Sequence, residues 1–336
     1  MYGGFQQPIS RRGSSVNQLL SNGSIKWQQS GVVVAGDNLG RAGGDANLLN
    51  NPSNVAFDSR NQYFYVTDDE NSRIQRYSVN NGGDRAGTTV YKLDDSPVPS
   101  PWDPSDRRNR PSALCIDSRD NIYIAEMYAP RRILRISPDG RATTVIDPRN
   151  SILQSCSGIY VDRNGNIYVS DWQQSAVLKF DQNGQNGEIV AGGNGYGHEP
   201  NQLYHPMGIF VTEKSGNLYV ADYVNQCVRR WSPGSKEGVV VAGGNFPGTD
   251  LNQLNYPSSV FVDDDERQIY VGDSINARVV RWSAGAQQGE IIVGANNLTS
   301  ESREICRVSG FKFDQNGNLY IADNYGNRIR KYMVDN

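Results

Sequence analysis

Residues 157–180, SGIYVDRNGNIYVSDWQQSAVLKF, read as three short strands joined by two turns. Residues 157–162 form an apolar run. Arg163-Asn164-Gly165-Asn166 is turn chemistry, because Asn and Gly tolerate the positive φ that a tight hairpin needs. Residues 167–170 are a second β-rich run, closed by Asp171, and residues 176–180 are a third. A fourth follows at residues 188–193, EIVAGG.

The pattern recurs along almost the whole chain. The acid closing the second run falls at Asp68, Glu126, Asp171, Asp222, Asp273 and Asp323, at intervals of 58, 45, 51, 51 and 50 residues. Before each acid stands a tyrosine and a β-branched residue: Tyr65-Val66, Tyr123-Ile124, Tyr168-Val169, Tyr219-Val220, Tyr270-Val271 and Tyr320-Ile321. The third run ends at Tyr77, Ile136, Phe180, Trp231, Trp282 and Tyr332. Four short strands per unit of about fifty residues is the signature of a propeller blade. The expected fold is all-β, a six-bladed β-propeller with four-stranded blades.

The last unit stops after its third strand, at residues 328–334. Residues 31–36, GVVVAG, are an unowned relative of residues 239–243, VVVAG. They are expected to complete the sixth blade, hiding strand edges that an open sheet would expose.

The repeated residues resemble the NHL repeat. Pro206, Gly208, Gly216-Asn217, Tyr219-Val220-Ala221-Asp222 and Asn225 carry the motif in one unit, and Asp273, Asn276 and Arg278 in the next. The resemblance covers roughly residues 25–336. Glu126 for Asp, Thr212 for the first-strand Asp and Cys227 for Arg depart from it.

The net charge of −3 gives no general pull toward nucleic acid. No stretch approaches the length of a membrane span. Four cysteines do not make a disulfide scaffold, and Cys115, in an apolar strand, reads as a buried free thiol. Residues 1–24 are polar and aperiodic, and are expected to form a flexible leader without a signal-peptide core. Residues 94–110, rich in proline and carrying Trp102, read as an exposed loop between the first two blades. The sequons at Asn22 and Asn297, with a surface rich in Asn, Gln and Tyr, tilt the expectation toward an extracellular protein.

The resemblance implies that some relatives are enzymes, among them amidating lyases that hold zinc through histidines at the axial end of the first strand. The matching positions here are Ser53, Ser112, Ser157, Met207, Ser258 and Ser309. Hydroxyls and a thioether do not make a zinc site. The chain has only two histidines, His198 and His205, so no Ser-His-Asp grouping is readable. The six marker acids occur once per blade, and a strand-end acid accepting turn N–H groups explains them all. The loop Gly192-Gly193-Asn194-Gly195 follows a strand but opens no helix, so it fails as a phosphate loop. No catalytic residue, metal or cofactor is expected.

Alternate connections of an antiparallel blade emerge on one face. The loops after the second strands present Met127, Tyr128, Trp172, Tyr223, Val224, Ile275 and Tyr325 there. Large apolar residues grouped on a surface mark interaction sites. The expected function is therefore a non-catalytic scaffold binding a protein or copies of itself through these residues. The six channel-mouth positions could serve a small ligand. A lyase- or lactonase-like enzyme in the axial depression is the alternative, and RNA binding a second one. The second lacks a basic stripe: Arg131 and Arg132 are offset by Asp69 and Glu70.

Overall fold

The computed structural model describes residues 16–80, 82–94, 109–127, 131–147, 149, 152–294 and 304–335. Trp102, Tyr128 and Asn297 lie outside them. The described chain forms six four-stranded antiparallel sheets, each one blade. The inner strands are Pro52–Phe57, Pro111–Ile116, Gly158–Val161, Pro206–Val211, Pro257–Val262 and Val308–Phe313, in blades 1 to 6. Each packs on the next, and that of blade 6 packs on that of blade 1, closing the ring.

Turn residues fix the hairpins. In blade 3, Asp162 accepts the N–H groups of Asn164 and Asn166 at 2.9 and 2.8 Å, and Gly165 takes φ 83°. In blade 4, where Thr212 replaces the acid, its hydroxyl lies 2.7 Å from that of Ser215, and both reach Glu266 of blade 5. A neighbouring blade thus supplies the missing carboxylate.

The ring closes where the repeat predicts. Val32–Gly36 pairs antiparallel with Arg328–Tyr332 as the outer strand of blade 6. A steric detail confirms the equivalence. Gly87, Gly187, Gly238 and Gly289 each precede a fourth strand, and a Cβ there would meet the third-strand aromatic at 2.5–2.8 Å. Gly31 holds the same place against Tyr332, at 2.6 Å. Pairing continues outward: Gln28 N–H donates to Met333 O and Asp335 N–H to Lys26 O, both at 2.9 Å. Trp27 is buried and donates to Gly317 O at 2.8 Å.

Ordered packing begins before residue 25. Val16–Leu20 is a short helix, Leu20 is buried, and its carbonyl accepts the Tyr270 hydroxyl at 2.9 Å. The cores lie between blades and are built from the paired tyrosines and third-strand aromatics, with Tyr219, Trp231, Tyr270, Trp282 and Tyr320 almost fully buried.

Candidate functional site

The marker acids are structural clamps. Asp68, Asp222 and Asp273 accept the N–H of Asn50, Tyr204 and Asn255 at 2.7, 2.8 and 2.7 Å, each just ahead of its blade's inner strand. Their second oxygens take Asn71, Asn225 and Asn276. Arg73 and Arg278 then pair with Asp68 and Asp273 at 2.6 Å and cap carbonyls of the preceding loop. In blade 4, Cys227 occupies the arginine's place, and Arg229, two residues on, pairs with Asp222 at 3.1 Å instead. Burial, outweighing the Asn225 and Tyr204 donors and Arg229, pushes the Asp222 carboxyl up to about 6.

The serines form a second structural ring. The Ser53 hydroxyl donates to Pro111 O, Ser112 to Cys156 O, Ser157 to Pro206 O, Ser258 to Val308 O and Ser309 to Pro52 O, at 3.3, 2.9, 2.7, 2.8 and 3.0 Å. Each acceptor belongs to the following blade, directly before that blade's own ring position. Met207, the exception, offers its carbonyl to Ser170 at 2.5 Å. All six residues line one axial cavity of 340 Å³, and each of the five serine hydroxyls has a carbonyl of the next blade within 3.3 Å.

The second-strand loops and the inter-blade loops share a face. Glu70, Met127, Val224 and Ile275 donate their N–H groups to Asn50 O, Arg110 O, Tyr204 O and Asn255 O. On this face Trp172 packs edge-on against His205, with centroids 5.0 Å apart, and Tyr223 lies 4.7 Å from Tyr256. His205 and Tyr256 hold φ of 52° and 54°, a left-handed conformation costly for such residues. Met127, Trp172, Tyr223 and Val224 are half-buried; Ile275 and Tyr325 are exposed. Arg307 knits blades 4, 5 and 6, donating to the hydroxyls of Tyr223, Ser274 and Tyr325 at 3.0, 3.0 and 2.8 Å.

Three exposed residues escaped the sequence reading. Leu39, Tyr196 and Phe246 are 82, 71 and 88 % exposed, each in an inter-blade loop. The likeness of two of these loops reads in the sequence as duplication alone. The missed signal was a large apolar side chain amid Gly, Pro and Asn. Among the described residues no three His, Cys, Asp or Glu side chains are grouped as a metal would require. No described helix is long and apolar enough to cross a membrane. All four cysteines are free, and Cys115 is half-buried at the cavity wall.

No protein-family profile matches the chain. Over 317 residues it is 24 % identical to NHL repeat-containing protein 2 of Bos taurus, covering 77 % of this chain and 42 % of that protein. Over 241 residues it is 25 % identical to the peptidylglycine alpha-amidating monooxygenase of Rattus norvegicus, covering 63 % of this chain. It spans 24 % of the length of that relative. A chain of a nidogen/laminin complex shares the fold with a TM-score of 0.54 at 21 % identity, over 71 % of this chain and 78 % of that one. Fold, repeat and relatives together define a six-bladed propeller. Its repeats resemble those of the NHL-repeat proteins among these relatives.

Proposed function

We propose that this propeller is a non-catalytic scaffold that binds a protein through its loop face. The observation carrying this reading is the exposure of Leu39, Tyr196 and Phe246 on three equivalent inter-blade loops, beside exposed Ile275 and Tyr325. Each loop is held from beneath by an arginine: Arg328 donates to Asn38 O, Arg229 to Glu199 O and Arg278 to Thr249 O. Apolar side chains on rigid supports lose little entropy on docking, which favours affinity. Aromatic anchors in such settings dominate interface energetics. That a chain of this fold sits in a nidogen/laminin complex agrees with a protein partner. The lyase- or lactonase-like alternative has the likeness to the amidating monooxygenase behind it. Against it, the six axial positions carry serine hydroxyls and a thioether, and the hydroxyls are engaged between blades.

A photo-crosslinking side chain placed at Phe246 or Tyr325 should yield discrete protein adducts in extract from the native source. The same group at Asn164, in a turn of the opposite face, should yield none. Equal labelling from all three positions, or none from any, would overturn the proposal.

A further inference from the structure

Ala56, Cys115, Tyr160, Phe210, Phe261 and Lys312 occupy one equivalent position on the six inner strands. Each is paired with the tyrosine of its blade's second strand, which fixes the equivalence. All six line the axial cavity. The layer they form is uneven. Tyr160, Phe210 and Phe261 make a continuous aromatic wall, with centroids 5.3 and 5.0 Å apart. Ala56 and Cys115, in blades 1 and 2, are the small members. Lys312, in blade 6, stands between the wall and the small side.

The Lys312 ammonium lies 6.0 and 5.9 Å from the ring centroids of Phe210 and Phe261, at the outer limit of cation–π attraction. Among the described residues it forms no ion pair and no hydrogen bond. The acids of the cavity lining are Asp58 and Asp69. Asp58 accepts the N–H groups of Gln62 and Tyr63 at 2.8 Å each, and Asp69 has its own partners. The Tyr160 hydroxyl is engaged by Glu213 at 3.0 Å. The other cation of the lining, Arg307, is held by the three hydroxyls described above. A desolvated ammonium without a counter-charge is costly, and burial pushes the Lys312 amine below its ordinary range.

We propose that the axial cavity binds a small organic carboxylate, its carboxylate on Lys312 and its apolar body against the Tyr160–Phe210–Phe261 wall. A volume of 340 Å³ suits a small ligand. One cation in an apolar layer matches a monocarboxylate better than a phosphate, which calls for several charged donors. The small side chains of Ala56 and Cys115 leave the room that the body fills.

The test is calorimetric titration of the full chain with 3-phenylpropionate, using 3-phenylpropionamide and phenethylamine as neutral and cationic controls. One equivalent of the carboxylate should bind, at least tenfold tighter than either control. Lys312→Met should cost at least tenfold in carboxylate affinity and leave the amide unchanged. Should the Met variant misfold, Lys312→Gln carries the same expectation. Equal affinity for acid and amide, wild-type affinity in the variant, or no saturable binding of 3-phenylpropionate, benzoate or hexanoate would each overturn the proposal.

Discussion

The hydroxyl of Ser258 donates to a carbonyl of the next blade, and its counterparts in four other blades each lie within reach of one. A residue type that suggests ligand chemistry in the sequence is thus a ring fastener in the structure. Ser258→Ala leaves Val308 O without that donor at a buried seam, and should destabilise the chain by about 1–2 kcal/mol in urea unfolding. Asp222 gives a prediction with a definite sign. Its folded carboxyl sits at about 6, above the ordinary value of 3.8, so the folded state holds the proton more tightly than the unfolded state. The Asp222 contribution to stability is therefore present below pH 3.8 and falls as pH rises through 6. Compared with Asp222→Asn, the wild type should lose relative stability between pH 4 and pH 6, measured by thermal unfolding across that window. A difference that is flat or grows with pH would contradict the assignment. Lys312→Met removes an unpaired, half-buried charge and should raise the thermal midpoint.

At the scale of the element, strands and turns were legible because each blade repeats its cues in register. Tyrosine before a β-branched residue, an acid at the strand end and polar turns rich in Asn, Asp and Gly all recur, and local propensity agrees with the sheets that form. What stayed hidden depends on bulges. The inner strands shift register between Pro52 and Val55, and between Pro206 and Ile209. The strand of Lys312 shifts likewise between Val308 and Gly310, so a simple count of alternate residues loses the face there and Lys312 does not stand out as a wall residue of the cavity. Exposure of Leu39, Tyr196 and Phe246 was hidden for another reason. An apolar loop residue reads alike whether it folds inward or projects, and the arginine clamps that hold these loops out are long-range contacts. The glycine before each fourth strand gives an element-scale test. Gly31→Val would drive side-chain atoms into the Tyr332 ring. It should destabilise the closure by about 1–3 kcal/mol and shift the emission of buried Trp27 to the red. Gly285, where a Cβ meets nothing within 4 Å, is the matched control, its strain confined to its positive φ of 76°.

For the whole molecule, the ring makes distant parts of the sequence interdependent. Residues 26–36 and 328–335 form one ribbon, so the blade that carries the axial lysine depends on a strand from the other end of the sequence. The ring also brings Tyr223, Tyr256, Arg307 and Tyr325, from three blades, into one connected patch. Native-state hydrogen exchange tests the closed ring most directly. The amides of Val32–Gly36 should exchange with the same opening free energy as those of Arg328–Tyr332, close to that of global unfolding. Val32–Gly36 amides exchanging near the rate of an unstructured peptide, with those of Arg328–Tyr332 still protected by Leu319–Asp323, would contradict it.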